Sequence, residues 1–379
     1  MPLPPLVEPV AALSDAERAR TARHTSLLAL GDVGQRRLAA AHVAVVGAGG
    51  LGSPVVLALA AAGIGTLTII DDDDVEPSNL QRQVIHAHAD VGRPKVDSAA
   101  RAVAGLSPQT RVVTVRERLS SENAARLLAE AHLVIDGTDT FDTREAVAAA
   151  TQRAGVPLVW GTVQEMHAQV TVFWSAPPAG ASPVVLGDLY PPGSVGDVPT
   201  CADVGVLGAL CLQVGSLLAM EAIKLIAGIG EPLLGRVLVI DALAARQREV
   251  PLVGAAPGRE SADAAASLAP PLPPHIDAAT LRAALAGDAR PDLLDVREQH
   301  ELSRGTIDGI RHLPLAAVLA NPEAAAPPSG TTPTIVICQA GMRARRAAEA
   351  LRGAGVDAVV LTGGMDAWAA MLTGMRIRA

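Results

Sequence analysis

The chain has 379 residues, a formal net charge of −8, 49% hydrophobic residues and 18% charged residues. One domain usually takes roughly 100–200 residues, so the length predicts two domains, and the hydrophobic fraction excludes a disordered chain. The negative charge comes without any basic run, which excludes duplex nucleic acid as the main partner.

Two apolar segments decide what the sequence predicts about location. Residues 1–12 are apolar and contain proline but lack the basic region that opens a signal peptide, so we expect a cytoplasmic protein. Residues 204–229 form the longest apolar stretch, yet they include Glu221 and Lys224, charges that a lipid-facing helix would bury at a cost. We therefore interpret this stretch as a buried core helix and expect no membrane partner.

Short β-rich runs alternate with helical segments through the first 250 residues. Such alternation is typical of a largely parallel sheet covered by helices on both faces, which predicts an α/β domain with a Rossmann-like fold. The predicted strands lie at residues 42–46, 66–70, 133–135, 158–159, 170–174 and 237–240, and predicted helices lie at 15–28, 121–129 and 144–154.

A glycine-rich turn joins the first predicted strand to the helix that follows it. Gly47, Gly49, Gly50 and Gly52 let backbone N–H groups approach a phosphate at the positive end of that helix. Asp71 ends the next strand, where a carboxylate can accept hydrogen bonds from both hydroxyls of a ribose. The pattern predicts nucleotide binding. Because NAD(P) and FAD enzymes share it, the turn and Asp71 alone leave redox and phosphate chemistry open.

The next segment separates these two chemistries. Residues 71–83 and 92–95 resemble the E1-like adenylating family, whose members include MoeB, ThiF and ubiquitin-activating enzymes, and the resemblance spans about residues 15–250. It implies an ATP-dependent adenylating enzyme in which Asn79, Arg82 and Lys95 meet the triphosphate and stabilise the departing pyrophosphate by electrostatics. The positions that match the family's nucleotide-binding motif are Asp71, Asp73, Ser78, Asn79, Leu80, Gln81, Arg82 and Lys95.

Three further positions complete the site that the resemblance implies. Asp139 matches the aspartate that binds Mg²⁺ close to the phosphates, and a helix N-cap is its alternative role. Thr140 replaces the asparagine of the family, which keeps a hydroxyl and loses the amide that contacts nucleotide. Arg23 matches an N-terminal arginine that reaches the ATP of the opposing subunit, so the resemblance implies a symmetric homodimer with composite sites.

A second domain follows an irregular segment. Residues 253–275 are rich in alanine, proline and serine, which predicts a semi-rigid linker between domains at 1–252 and 276–379. Residues 293–298 and 363–368 resemble the opening and closing motifs of rhodanese domains, which are smaller α/β domains.

The sulfur chemistry that this second resemblance implies centres on one loop. An apolar strand ends at Cys338, and a short loop with Arg343 leads into a helix, so backbone N–H groups, the helix dipole and Arg343 are expected to stabilise a persulfide anion. Four residues separate the cysteine from the arginine, whereas related phosphatases have five, so the tighter loop favours sulfur transfer over phosphate-ester hydrolysis. Thr306 stands where relatives commonly carry histidine, and we expect activity to survive that change.

The other two cysteines have different expected roles. Residues 175–200 form an irregular stretch that we interpret as a moving functional loop, and Cys201 follows it, matching the family's cysteine beside the adenylate. Whether Cys201 forms a thioester or resolves an acyl disulfide stays open. Cys211 lies in an apolar helical run and is interpreted as a core residue. With three cysteines in total, the chain lacks the four thiolates of the relatives' zinc site, so we expect no structural zinc.

Together the two resemblances imply one function. The enzyme would adenylate the C-terminal glycine of a small ubiquitin-like sulfur-carrier protein ending in Gly-Gly and deliver sulfur to it from Cys338, in molybdopterin synthesis and related pathways. A persulfide donor such as a cysteine desulfurase would charge the thiol. Two rival hypotheses are an NAD(P)-dependent oxidoreductase, which Arg82 and Lys95 fit poorly, and a non-catalytic nucleotide-sensing binding protein, against which Lys95, Asp139 and Cys338 argue.

Overall fold

A computed structural model describes residues 3–191, 205–254, 273–287, 290–327 and 333–376. The chain divides into two compact units, one up to residue 259 and one from residue 260 onward. Most of the predicted linker at 253–275 and the second part of the predicted loop at 175–200 lie outside the described residues.

One sheet of eight strands forms the centre of the first unit, in the order β3-β2-β1-β4-β5-β6-β7-β8. The first five strands in that order pair in parallel, and the last three pair antiparallel to their neighbours. The predicted, mostly parallel α/β sheet is therefore confirmed. The strands are β1 (His42–Val46), β2 (Thr66–Ile70), β3 (Arg111–Val115), β4 (Leu133–Asp136), β5 (Leu158–Gln164), β6 (His167–Phe173), β7 (Arg236–Asp241) and β8 (Arg246–Pro251).

Strands β3 and β8 have no counterpart among the predicted strands. They are the two edges of the sheet, and both expose much of their length, so neither carries the continuous apolar run that marks a buried strand. The prediction from apolar runs thus found the inner strands and missed the edges.

Helices of the first unit cover both faces of the sheet. Val43 and Val45 of β1 belong to one core cluster, and Ala44 and Val46 belong to another on the opposite face, as the two-residue period of a strand requires. The helices are α1 (Asp15–Arg20), α2 (Ala22–Thr25), α3 (Gly31–Ala40), α4 (Gly52–Ala62), α5 (Lys95–Leu106), α6 (Ala124–Leu127), α7 (Phe141–Ala154), α8 (Leu186–Leu189) and α9 (Gly208–Ala227).

The single helix predicted over residues 15–28 is two short helices, α1 and α2. The break falls at Thr21, whose backbone leaves the helical region at φ −97° and ψ 12° and whose hydroxyl donates a 2.7 Å hydrogen bond to the Glu17 carbonyl, a contact that bends helices. The prediction was wrong about continuity, because the side-chain hydrogen bond leaves no hydrophobic signal.

Helix α9 is the apolar stretch that the sequence predicts to be a core helix. By length and composition alone it could cross a membrane, but 56% of its most apolar window is buried inside the protein. It packs against α4, α3 and β5. Glu221, one of its charged residues, is buried, and its carboxylate accepts a 2.8 Å hydrogen bond from the backbone N–H of Leu233. The contacts are those of the predicted core helix.

The second unit is a smaller parallel sheet in the order β11-β10-β12-β13-β9 with helices on both faces. Its strands are β9 (His275–Ile276), β10 (Asp292–Asp295), β11 (Arg311–His312), β12 (Thr334–Ile337) and β13 (Ala358–Leu361), and its helices are α10 (Ala278–Leu285), α11 (Leu315–Ala320), α12 (Met342–Gly353) and α13 (Gly364–Arg376).

Tryptophan is divided between the two units. Trp160 and Trp174 are buried in the first unit, where the ring of Trp160 lies against those of Phe173 and Tyr190. Trp368 is the tryptophan of the second unit and is 9% exposed in its core. Each unit therefore has its own buried indole.

Candidate active sites

The glycine-rich turn between β1 and α4 has a shape that side chains would prevent. Gly47 has φ of +89°, in the left-handed region that glycine adopts without strain. A Cβ atom on Gly52 would lie 1.7 Å from the carbonyl oxygen of Gly47. The turn therefore closes on itself so tightly that only backbone fits, and it presents N–H groups at the start of α4.

Asp71, the residue after β2, holds this turn through hydrogen bonds. One carboxylate oxygen accepts from the backbone N–H of Ala48 at 2.7 Å, and the other accepts from the backbone N–H of Asp73 at 2.9 Å. Burial raises the pKa of Asp71, while Lys95 acts in the opposite direction. The sequence predicts a ribose ligand here, and each oxygen keeps a further lone pair for it.

A cavity of about 570 Å³ opens above the turn, a volume within the range of ligand pockets. Five predicted positions do not line it: Gly52, Ser78, Leu80, Gln81 and Arg23. Ten predicted positions do line it, which are Gly47, Gly49, Gly50, Asp71, Asp73, Asn79, Arg82, Lys95, Asp139 and Thr140.

Lys95 is the first residue of α5, and its side chain is 7% exposed. Its ammonium group lies 2.7 Å from a carboxylate oxygen of Asp73, and its backbone N–H donates to the Asp73 carbonyl at 3.0 Å. The carboxylate of Asp73 is 56% exposed at the cavity. A buried cation with one solvent-facing partner can transfer its hydrogen bond to an anionic ligand.

The segment after β2 forms a second wall. Asn79 is buried, and its side-chain oxygen Oδ1 accepts from the backbone N–H of Glu76 at 3.1 Å, which closes a short helical turn. The guanidinium of Arg82 donates to the carbonyl of Ser78 at 3.1 Å. Gln83 is 4% exposed, and its side-chain oxygen has no hydrogen-bond partner among the described residues. Gln83 thus belongs to the cavity wall and has one buried acceptor without a partner among the described residues.

The third wall lies after β4. Asp136 is fully buried, and its Oδ1 accepts from the backbone N–H and the hydroxyl of Thr138 at 2.9 and 2.7 Å. Burial raises the pKa of Asp136. Arg144 of α7 donates to the Thr138 carbonyl at 2.7 Å and lies 5.7 Å from the centre of the Trp160 ring. These contacts fix the loop that exposes Asp139 to the cavity.

Arg23 and Cys201 are two further predicted residues of the adenylating site. Arg23 is exposed on α2 and is absent from the cavity wall of its own chain. Cys201 lies outside the described residues, so the structure does not place its thiol.

Sequence reasoning missed several cavity residues. Arg144, Gln83, Arg118 and Cys211 all line the cavity, although Cys211 is also buried in the core as predicted. Gln83 directly follows the recognised Arg82, and that adjacency was the available signal. Arg144 and Arg118 reach the cavity only through the pairing of distant strands, for which the sequence offers no local pattern.

The second site lies in the second unit, where Cys338 directly follows β12. The thiol is buried, and its Sγ accepts a hydrogen bond from the backbone N–H of Gly341 at 3.1 Å. The start of α13 supports the loop, because the backbone N–H of Met365 donates to the Cys338 carbonyl at 2.9 Å. A Cβ atom on Gly364 would lie 2.3 Å from that same carbonyl. The loop is thus a backbone cradle that points an N–H group at sulfur.

Arg343 lies at the start of α12 and pairs with a carboxylate. Its two guanidinium nitrogens lie 2.5 and 2.7 Å from the two oxygens of Glu301, a bidentate arrangement. The hydrogen bond from Arg343 lowers the pKa of Glu301 to about 2. The hydrogen bond with Glu301 is the main cause that raises the pKa of Arg343, and the electrostatic interaction with Cys338 acts in the same direction. The predicted arginine therefore carries a fixed positive charge near the thiol.

A buried ion pair supports the loop at Gln339, the residue after Cys338. Arg297 and Asp295, in the opening motif, are both fully buried and joined at 2.7 Å. Arg297 also donates to the side-chain oxygen of Gln339 at 3.1 Å, and the Gln339 amide donates to Asp366 at 2.5 Å. The residue after Cys338 is thereby tied to both motifs that the sequence singled out.

Comparisons with known proteins match each of the two units. The model of the ThiF family matches residues 21–260, and the model of the rhodanese-like domain matches residues 277–371. The probable adenylyltransferase/sulfurtransferase MoeZ of Mycobacterium tuberculosis is 44% identical to this chain, over 97% of this chain and 96% of its own length.

Two other proteins match the first unit. The sulfur carrier protein adenylyltransferase of Thermus thermophilus is 44% identical, over 60% of this chain and 84% of its own length. A crystal structure of E. coli MccB with ATP has a TM-score of 0.54 at 21% identity, over 64% of this chain and 73% of that one, and shows the same fold. The chain therefore belongs to the ThiF family, as an adenylyltransferase/sulfurtransferase with a C-terminal rhodanese-like domain.

Proposed function

We propose that this enzyme uses Mg-ATP to adenylate the C-terminal glycine of a small ubiquitin-like sulfur carrier and then converts that glycine into a thiocarboxylate. One observation carries the proposal: a single chain holds a nucleotide-sized cavity with a buried lysine and a thiol cradled by a backbone N–H before a helix. The Thermus relative, named for a sulfur carrier protein, supports the substrate class. Molybdopterin synthesis and related pathways are where we place the reaction.

Adenylation would use the cavity of the first unit. The turn of Gly47 to Gly52 offers its N–H groups to phosphate, and Asp71 accepts from the ribose hydroxyls. The glycine carboxylate attacks the α-phosphorus, the bond to the bridging oxygen breaks, and pyrophosphate leaves. Lys95 and Arg82 stabilise the charge on that leaving group, while Asn79 shapes the wall beside them. Ser78, Leu80 and Gln81 shape the same segment from outside the cavity.

The loop after β4 fits a magnesium ligand. Asp139 exposes its carboxylate to the cavity, and carboxylate oxygens are the protein ligands that Mg²⁺ prefers. Thr140 beside it offers a hydroxyl to the nucleotide in place of the family's amide. When bound, the ion would neutralise charge on the phosphates.

Sulfur transfer would use Cys338, charged as a persulfide by a donor such as a cysteine desulfurase. The terminal sulfur attacks the adenylate carbonyl, AMP leaves, and an acyl disulfide joins the carrier to Cys338. A thiol of Cys201, or of an external reductant, then attacks the Cys338 sulfur, so that the carrier leaves as its thiocarboxylate and a disulfide remains for a cellular dithiol to reduce. Direct thioester formation at Cys201 is the alternative route. Arg343 stabilises the persulfide anion.

The proposed assembly is a homodimer, and one exposed arginine supports it. Arg23 is absent from the cavity wall of its own chain, which suits a role in the cavity of a second copy and hence a homodimer. We keep 1–252, 253–275 and 276–379 as the bounds of the two domains and their linker, and the cytoplasm as the location.

With three cysteines the protein cannot build a Cys₄ site, so we propose that it holds no structural zinc. Elemental analysis of the purified protein should find less than one zinc per chain. A stoichiometric, tightly bound zinc would contradict this.

Exchange of labelled pyrophosphate into ATP tests adenylation. Exchange should require both the enzyme and a carrier that ends in Gly-Gly, and a carrier shortened by its last glycine is the matched control. No exchange with any such carrier would overturn the adenylation half of the proposal.

Substitution of the cradled thiol tests the sulfur half. Cys338→Ala should keep the exchange activity and stop thiocarboxylate formation, because only the second step uses that sulfur. Mass spectrometry of the carrier reads the outcome, and the pyrophosphate exchange activity of the same variant is the control for an intact adenylation site. Thiocarboxylate at the wild-type rate from Cys338→Ala would contradict the assignment.

A further inference from the structure

The glycine-rich turn is held from behind by a residue that does not line the nucleotide cavity. The Ala48 carbonyl is fully buried and lies 3.0 Å from Nε2 of His86 and 3.1 Å from the hydroxyl of Ser53. The N–H of the same residue donates to Asp71 at 2.7 Å. Hydrogen bonds thus connect His86 through the peptide of Ala48 to Asp71, the residue proposed to bind the ribose.

His86 is itself oriented by polar neighbours. Its ring is 7% exposed, and Nδ1 lies 3.0 Å from the hydroxyl of Ser98 on α5. That hydroxyl lies 2.8 Å from a carboxylate oxygen of Asp90, which also accepts from the backbone N–H of Ala87 at 2.9 Å and pairs with Arg101. The backbone N–H of Ala87 lowers the pKa of Asp90 to about 2, so this carboxylate is ionised at neutral pH.

The Ala48 carbonyl fixes the tautomer of the neutral ring. A carbonyl can only accept, so the contact with Ala48 requires a proton on Nε2. Burial lowers the pKa of His86, and Lys95 acts in the same direction while Asp90 opposes it. In the neutral ring, Nδ1 accepts from the Ser98 hydroxyl, which then gives up its hydrogen bond to Asp90, while the carboxylate keeps the backbone N–H of Ala87 and Arg101.

The hydroxyl also lets the contact survive protonation of the ring. In a protonated ring Nδ1 donates instead, and Ser98 turns its hydrogen to Asp90, with Arg101 balancing the carboxylate on its other oxygen. The Nε2–H to Ala48 bond is present in both states. The relay therefore makes the support of the turn insensitive to pH.

We propose that His86 is a positioning residue for adenylation, which holds the peptide at Ala48 so that the turn and Asp71 keep the shape that binds nucleotide. The inference rests on the proposed adenylation, because the turn it supports is the one that meets ATP. Without the Nε2 donor, the Ala48 carbonyl keeps only the Ser53 hydroxyl, and the peptide can rotate away from Asp71.

Two substitutions at His86 separate positioning from packing. The amide nitrogen of Gln reaches the position of Nε2, whereas that of Asn reaches only the position of Nδ1. In the exchange assay His86→Asn should raise the KM for ATP by about tenfold with little change in kcat, the loss expected for one buried hydrogen bond. His86→Gln should stay within about twofold of the wild type because the donor is retained.

His88→Asn, at an exposed histidine two residues away, is the control and should leave KM unchanged. Equal losses in His86→Gln and His86→Asn, or an unchanged KM in His86→Asn, would overturn the proposal. The dissociation constant for ATP, measured by calorimetry, gives the same comparison without requiring turnover. A wild type without exchange activity would count against adenylation, whereas the ATP affinities of the variants would still decide the role of His86.

The tautomer supplies a test that needs no variant. ¹⁵N spectra of the histidine-labelled wild-type protein, with the His86 signals assigned by their loss in His86→Gln, should show a proton on Nε2 at neutral pH. A proton found only on Nδ1 would remove the donor to Ala48 and overturn the proposal, even if His86→Asn does not fold.

Discussion

Lys95 shows how single residues are prepared for a ligand. Its ammonium group is buried, so it needs a partner at all times, and Asp73 supplies one at 2.7 Å. The Asp73 carboxylate is largely exposed, so water can solvate it when the lysine turns to a triphosphate. When a nucleotide binds, its phosphate therefore replaces Asp73 as the partner of Lys95, and the buried ammonium group is never left without an anion.

The ion pair of Arg343 with Glu301 predicts a pH dependence. The pKa of Glu301 is about 2 in the folded protein against an ordinary 4.5, so the pair stabilises the fold above pH 4.5, and this contribution is lost as the pH falls toward 2. Glu301→Gln should therefore unfold at a lower temperature than the wild type at neutral pH. The difference in unfolding temperature between the two proteins should become smaller as the pH falls from 4.5 toward 2. Calorimetry between pH 7 and pH 2 measures it.

Glu349→Gln removes a carboxylate from an exposed pair on α12 and is the matched control, with little effect at any pH. A constant difference between Glu301→Gln and the wild type from pH 7 to pH 2 would contradict the assigned ion pair.

Among single residues, the sequence identified as site residues those that belong to contiguous motifs. Asp71, Asn79, Arg82 and Lys95 stand close together in the chain, and they line one cavity. Arg144 does not belong to such a run, because it reaches the site only after β4 and α7 have packed. Its role is a product of tertiary structure, and no local spacing encodes it.

Among the elements, the turn between β1 and α4 restricts residue type most strongly, because a side chain at Gly52 has no space. Gly52→Ala would place a Cβ atom 1.7 Å from the Gly47 carbonyl oxygen, so the turn must open. We expect a loss of about 2–4 kcal/mol in the free energy of unfolding of the first unit, and ATP affinity too weak to measure. Chemical denaturation and calorimetric titration with ATP read the two effects.

Gly105→Ala is the matched control. Gly105 lies in α5, with open space where its Cβ would be, so the substitution should stabilise the helix by about 0.5–1 kcal/mol and leave ATP binding intact. If both alanine variants bound ATP equally well, the turn would not be the phosphate cradle.

Buried strands were predicted more accurately than exposed ones. Strands β1 and β2 were predicted with their observed bounds, since both lie inside the sheet and are buried over their last four residues. The antiparallel pairing of β5 through β8 was not predicted, because apolar runs carry no information about strand direction.

For the whole molecule, the proposed dimer predicts complementation between two inactive variants. Arg23→Ala and Lys95→Met should each lose pyrophosphate exchange, one by removing a group donated to the other subunit and the other by removing a group of the subunit's own cavity. In a mixed dimer one site regains both residues, so random mixing should restore about a quarter of the wild-type activity.

Size-exclusion chromatography of the mixture confirms the dimer, and Arg93→Met, an exposed neighbour of Lys95, is the control that should stay active alone. No recovery on mixing, with dimers present, would contradict a composite site.

The two-domain organisation was the most predictable property of the chain. Its signals were compositional, an Ala-, Pro- and Ser-rich segment between two stretches with their own motifs, and the chain forms two compact units with a family match in each.

The distribution of tryptophan gives each unit an optical signal of its own. Because Trp368 is the tryptophan of the second unit, Trp160→Phe with Trp174→Phe leaves intrinsic fluorescence that reports that unit alone, and Trp368→Phe does the reverse. Trp160 also lies beneath Arg144, which holds the loop before Asp139. Its emission, isolated in a Trp174→Phe and Trp368→Phe background, is thus a direct reporter of events at the nucleotide cavity.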